Sequence, residues 1–354
     1  MLPKDAATLL KQGTVIPAHP LALKPTGHVD SKRQRALSRY YLAAGAGGLA
    51  VGVHTTQFAI RQHDGMLACV LELAADVVRE QAQSSAVTRL MVAGICGQTS
   101  QAVTEARLAR RHSYHLGLLS LTAYRNHSED LILQHCQEVA REIPLFGFYL
   151  QPSVGGRILS FDFWRRFAEI PNLMAIKIAP FNRYQTLDVM RAVAESDRWD
   201  QITLYTGNDD AIVFDLLSQY EFQIGGSLRK LHFAGGLLGH WSCWTKCAVD
   251  LWQRCRQAAT LAEQSNWRDL MVLAHQVTDM NAAIFDSANN FRGCIPGILT
   301  VLQQQGLLAN TLCLDSAEKL SPGQANEIAR VRSAYPHLID DSFVADNLQQ
   351  WLSD

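Results

Sequence analysis

The sequence predicts an α/β fold, a (β/α)8 TIM barrel with a C-terminal helical extension, and three observations carry that prediction. Short apolar runs of strand length alternate with longer amphipathic runs through most of the chain. Eight such short runs occur within about 240 residues, the usual size of such a barrel. Two of them, LMAIKIA and ITLYTG, are nearly continuous in apolar or β-prone residues, as parallel strands buried on both faces require.

The strand-like runs fall at 14–17, 48–53, 90–95, 116–121, 145–149, 173–178, 202–205 and 231–234. Helix starts are marked between them: Asp30 before SKRQRALSRYYLAAG, Thr99 or Ser100 before QAVTEARLARRH, and Ser128 before EDLILQHCQEVARE. The segment GAGGLAVG at 45–52 is read as the turn from the first of these helices into the second strand. A doubly wound sheet is the competing α/β reading, and it wants a G-x-G-x-x-G turn leaving the first strand for a helix. None follows 14–17. Beyond 234 the period is helical, with turn chemistry at Ser321-Pro322-Gly323 before a last helix-like stretch. No long linker interrupts the chain. Residues 1–238, the barrel strands with their intervening helices, and 239–354, the last barrel helix and the extension, are expected to form one structural unit.

A chain of 354 residues can bury a sizeable core. Its 32 Lys and Arg against 33 Asp and Glu leave a formal charge of −1, so no sequence-wide field favours nucleic acid or an anionic membrane as partner. The longest weakly polar stretch, 40–53, is interrupted by glycines and shorter than the roughly 20 apolar residues a spanning helix needs. The opening MLPKDAATLLKQG lacks the apolar core of a secretory signal, which gives a cytoplasmic expectation. Eight cysteines, mostly inside apolar runs, read as reduced small hydrophobes. His240, Cys243 and Cys247 have one-face helical spacing, but a third or fourth zinc-like ligand is missing. The stretch LGHWSCWTKCAVDLWQRC reads instead as an amphipathic helix burying its Cys and Trp residues, and no metal is expected.

A barrel of this kind builds its active site at the C-terminal ends of its strands. The polar strand ends here are His54-Thr55-Thr56-Gln57, Thr122-Ala123-Tyr124-Arg125-Asn126, Tyr149-Leu150-Gln151-Pro152 and Thr206-Gly207-Asn208-Asp209-Asp210, and Lys177 interrupts the apolar run AIKIAPF. A lysine there is either buried, where desolvation makes its amine nucleophilic, or directed into a wet site at the barrel mouth. Alone it would more often be a snorkelling or paired lysine.

Its neighbours resemble, in order, the dihydrodipicolinate synthase and N-acetylneuraminate lyase superfamily of Schiff-base aldolases. Gly27-His28-Val29-Asp30 is similar to that family's D-G-x-x-D turn, and GLAVGVHTT to its G-T-T-G-E strand end, with Thr55 and Thr56 on the paired threonines. Thr122-Ala123-Tyr124 resembles T-P-Y, Tyr149-Leu150-Gln151-Pro152 resembles Y-N-x-P, and Thr206-Gly207-Asn208-Asp209 resembles S-G-D-D. Lys177 falls 28 residues after Tyr149, the family's spacing of catalytic tyrosine and lysine. The similarity runs colinearly from about residue 13 to 308.

The resemblance implies a lyase or aldolase in which Lys177 forms an imine with pyruvate or a related 2-oxo acid. It implies that Tyr149 and Thr56 relay protons, that Thr55 and Thr56 hold the substrate carboxylate, and that Tyr124 and Gly207 border the substrate, Gly207 reading equally as the glycine of a strand-to-helix turn. Arg125, outside the family pattern, is read either as a contact to an anionic or hydroxylated second substrate or as an exposed arginine at a subunit contact. By the same resemblance no cofactor is needed beyond the covalent imine, and the partner is a second copy of the chain, as a dimer or tetramer. The likeness stops at three places. Ser153-Val154-Gly155-Gly156 stands where the synthases carry an arginine for a dicarboxylic partner, Gln57-Phe58 replaces G-E, and Arg125 replaces a second tyrosine. A dehydratase or hydratase-aldolase on a sugar-acid or aromatic 2-oxo acid, and a non-catalytic binder of such acids, stand as alternatives.

Overall fold

The computed structural model describes residues 2–84, 87–260 and 267–353. Nine strands are present among them: β1 (Val15–Pro17), β2 (Gly48–Val51), β3 (Leu90–Ile95), β4 (Leu116–Leu119), β5 (Leu145–Leu150), β6 (Leu173–Ala179), β7 (Thr203–Thr206), β8 (Gln219–Ile224) and β9 (Ser227–Leu238). Eight of them run parallel in the order β1-β9-β7-β6-β5-β4-β3-β2. A parallel bridge between Ala18 and Ala50, with the His19 N–H donating to the Ala50 carbonyl at 2.8 Å, brings β2 back to β1. Helices alternate with the strands and continue past β9 as a C-terminal helical extension, so the fold is the predicted (β/α)8 barrel.

Alternation along each strand sorts the side chains into two cores. Ile16, Ala50, Val92, Leu118, Phe146 and Tyr205 fill the barrel, and the N-terminal helix Lys4–Gln12 adds Ala6 and Leu10 to that core. The Tyr205 hydroxyl donates to the Leu10 carbonyl at 3.0 Å, tying that helix to the barrel interior. The outer faces, among them Leu145, Tyr149, Ile176 and Ile178, pack with the surrounding helices. Asp30 and Ser128 cap their helices as the sequence indicates, accepting from the N–H groups of Arg33 and Leu131. Thr99 and Ser100 do not cap: the Thr99 hydroxyl is taken by Tyr124 and His135, and Gln98, which precedes the helix, donates its amide to the Ala123 carbonyl and makes no capping bond.

Two readings are corrected. The eighth run, 231–234, is the middle of a twelve-residue strand whose first half pairs antiparallel with β8 across the Gly225-Gly226 turn. Both glycines have positive φ, 56° and 82°, as a two-residue hairpin turn of this hand requires. The stretch from 238 is not one helix: β9 ends at Leu238, His240–Ser242 form a single 3-10 turn, and the helix begins at Thr245. His240, Cys243 and Cys247 therefore do not share a helical face. Among the described residues no three His, Cys, Asp or Glu side chains converge as a metal ion would need. Residues 261–266 of the C-terminal helical reading lie outside the described residues. No helix among the described residues is long and apolar enough to cross a membrane.

Candidate active site

Lys177 sits in β6 opposite Phe148 of β5 and Tyr205 of β7, both inward-facing, so strand register aims its side chain into the barrel. It is 8% exposed, and its Nζ lies 4.5 Å from the centroid of the Phe148 ring. The aliphatic stem needs the glycine that follows β7. A Cβ at Gly207 would come within 2.4 Å of the Lys177 Cε and 2.8 Å of the Ala179 Cβ.

Lys177 opens into a cavity of about 570 Å3, counting its mouth, at the C-terminal ends of the strands. The groups there able to exchange protons are Lys177, His54, Asp209 and the Cys294 thiol. Asp209 is buried, and one of its carboxylate oxygens accepts from the His240 N–H at 2.9 Å, which fixes the side chain beside the lysine. Burial holds the Lys177 ammonium below the ordinary lysine range, with the Asp209 charge opposing that shift. The reverse holds for the acid: burial raises the Asp209 pKa, and Lys177 counteracts it in part. His54, pushed down to about 4 first by burial and then by the Lys177 charge, is a neutral imidazole at ordinary pH. Burial also drives the Cys294 thiol well above its usual value, so it is not a thiolate.

The turn after β7 is held from below. The Thr206 hydroxyl donates to Asp215, the Asn208 amide donates to the same carboxylate at 2.9 Å, and Arg183 pairs with it from the helix Arg183–Glu195 that precedes β7. The Asn208 side-chain oxygen accepts from the Phe181 N–H at 3.0 Å.

The sequence-predicted residues divide. Lys177, Thr55 and Gly207 border the cavity, but Thr55 donates its hydroxyl to the carbonyls of Ala18 and His19, at 2.7 and 3.2 Å. Thr56 is fully buried, donating to the His19 carbonyl at 2.6 Å and accepting from the Gly52 N–H. Both hydroxyl protons are thus committed to the backbone.

Tyr149 is not at the cavity. It pairs with Ile178 on the outward face of the sheet, its ring 4.8 Å from that of Trp164 and its hydroxyl accepting from the Leu159 N–H at 3.4 Å. Phe148 takes the inward position beside the lysine. Tyr124 is likewise outside: its hydroxyl meets that of Thr99 at 2.7 Å and its ring stacks on His135 at 4.3 Å. Arg125 is exposed and does not line the cavity.

His54 and Asp209 were visible as polar strand ends but drew no role from spacing alone. Phe285 and Cys294, from the C-terminal helices, and Phe291, from the turn between them, gave no signal at all, since only folding brings them over the barrel mouth.

A search of curated proteins finds no match for the chain. Among solved structures, a dihydrodipicolinate synthase from Oceanobacillus iheyensis superposes with a TM-score of 0.73 at 15% identity, covering 94% of this chain and 100% of that one. An N-acetylneuraminate lyase from Fusobacterium nucleatum, complexed with pyruvate, gives a TM-score of 0.70 at 14% identity over 92% and 98%. The N-acetylneuraminate lyase of Clostridium difficile in complex with mannosamine gives 0.70 at 15% over 91% and 99%. These likenesses establish the shared barrel. Residues 11–220 match the model of the dihydrodipicolinate synthetase family. With the match spanning most of the barrel, this chain belongs to the dihydrodipicolinate synthetase family.

Proposed function

We propose that this protein is a lyase that makes or breaks a carbon–carbon bond through an imine between Lys177 and pyruvate or a related 2-oxo acid. The observation that carries the reading is a buried amine on the inner face of β6, in a cavity where Lys177 is the sole Lys or Arg among the described lining residues. Burial favours the uncharged, nucleophilic form of that amine.

In this reading the amine attacks the keto carbon, the carbinolamine loses water, and the iminium at C2 then takes up, as an enamine, the electron pair of the C3–C4 bond that breaks; bond formation is the reverse. Proton traffic needs a donor for the departing hydroxyl and an acceptor at the substrate. Asp209 and His54 face the cavity and supply both, the acid from a carboxyl whose pKa burial raises towards neutrality and the base from a neutral imidazole. Tyr149, which faces the helices, is left out of this relay.

The test is peptide mass spectrometry after incubation with pyruvate and borohydride. A reduced adduct on the peptide carrying Lys177, absent from Lys177→Ala and kept in Tyr149→Phe, is the expected result. A folded protein that traps no 2-oxo acid, or traps it on another lysine, would sink the reading.

A further inference from the structure

Phe181 and Phe291 both line the cavity, and both hold a left-handed backbone, at φ 52° and 64°. Bulky side chains adopt that region rarely, and such outliers persist where surrounding contacts impose them, often at ligand sites. Both positions are imposed here. The Phe181 N–H is held by the Asn208 side chain, and the Phe291 N–H donates to the Asp286 carbonyl at 3.1 Å. The Asp286 carboxylate in turn accepts from Asn289, Gly293 and the Ser321 hydroxyl. The outcome is an edge-to-face pair of rings, 5.7 Å apart at 80°, on the cavity wall.

Two further observations describe what this wall faces. Phe148 and Phe285 also line the cavity, and Gly239 lets the Phe285 ring lie close, since a Cβ there would come within 2.7 Å of its Cζ. Among the described lining residues Lys177 is the sole Lys or Arg, and Val154 and Asp209 line the same cavity, so a second carboxylate or a phosphate would meet no further cation there and would face Asp209.

We propose that Phe181 and Phe291 form a subsite for an uncharged aromatic aldehyde, the second reactant in condensation and the product in cleavage. The chemistry rests on the Lys177 imine. In condensation, C3 of the pyruvate enamine bonds to the aldehyde carbon and the aldehyde oxygen takes a proton. Water then hydrolyses the iminium, freeing the amine and a 4-aryl-4-hydroxy-2-oxo acid; cleavage is the reverse. Stacked or edge-on rings recognise the aryl group through its faces and edges.

The subsite is read separately from the imine. In Lys177→Ala, which forms no imine, calorimetric titration with benzyl alcohol should show saturable binding that weakens at least tenfold when Phe291 is also changed to Leu. Absence of binding, or binding indifferent to Phe291→Leu and Phe181→Leu, would overturn the subsite. In the unaltered protein with pyruvate, turnover of benzaldehyde should exceed that of glyceraldehyde at least tenfold in kcat/KM. Phe291→Leu should erode that ratio through KM while borohydride trapping of pyruvate alone is unchanged. Equal or better use of glyceraldehyde by a protein that traps pyruvate would overturn the assignment, whereas loss of trapping itself strikes only at the imine.

Discussion

At the scale of single residues, the site holds a buried lysine and a buried carboxyl in one cavity. Asp209 pulls the Lys177 pKa up while burial pulls it down, and burial is the larger effect. Removing the carboxylate charge therefore leaves burial unopposed and lowers the lysine pKa further. In Asp209→Asn, the pH midpoint of pyruvate trapping at Lys177 should move down by roughly one unit. The turnover number should fall too, because the amide has no proton to give. An unchanged midpoint, measured by the rate of borohydride trapping between pH 6 and 10, would remove Asp209 from the lysine's field. Lys177 was legible because a charge inside an apolar strand run is rare whatever the fold. Tyr149 was misread because a spacing along the chain carries no information about which face of a strand a residue takes, and a shift of one position exchanges inside for outside.

At the scale of elements, the turn after β7 shows how a loop serves a neighbouring strand. Gly207 was expected to border substrate, and it does line the cavity, but its absent side chain also makes room for the Lys177 stem. In Gly207→Ala the new methyl would collide with the Lys177 stem and with the Ala179 Cβ, which cannot move without its strand. The expected result is a protein with a lowered melting temperature whose folded fraction traps pyruvate at least tenfold more slowly. A variant that traps at the parental rate would show that the lysine can work from another rotamer. The β8–β9 hairpin carried its signal openly, as two glycines between alternating runs. It was missed because its outer strand is half exposed and holds few residues that read as core.

For the whole molecule, one buried acid is a hub among the bonds that fasten the C-terminal extension to the barrel. Asp340 accepts from the Tyr40 hydroxyl at 2.8 Å, the Lys246 N–H at 2.9 Å and the Gln305 amide at 2.8 Å, and Tyr40 itself accepts from the Thr245 N–H at 2.7 Å. Four segments distant in sequence meet at that carboxylate. Asp340→Ala would strand the buried Tyr40 hydroxyl and the part-buried Lys246 N–H, while the Gln305 amide keeps its bond to Asp341 at 2.9 Å, so a loss of about 2 kcal/mol is expected. Urea unfolding at pH 7 would show it as a lower midpoint. A midpoint within experimental error of the parent would mean that water replaces the carboxylate. The same extension delivers Phe285, Phe291 and Cys294 to the cavity, so loosening it is expected to weaken aromatic binding as well.

By itself the sequence determined the barrel, seven strands of it to within two residues at either end, and the lysine at its mouth. Those features rest on local period and on one conspicuous charge, both properties of neighbouring residues. Only the tertiary structure decided that Phe148 and not Tyr149 faces the lysine, that the threonine hydroxyls serve the backbone, and that the C-terminal helices wall the cavity with aromatic rings. Each of those depends on strand register or on contacts between residues far apart in the chain. Long-range packing sets these, and no local pattern records them.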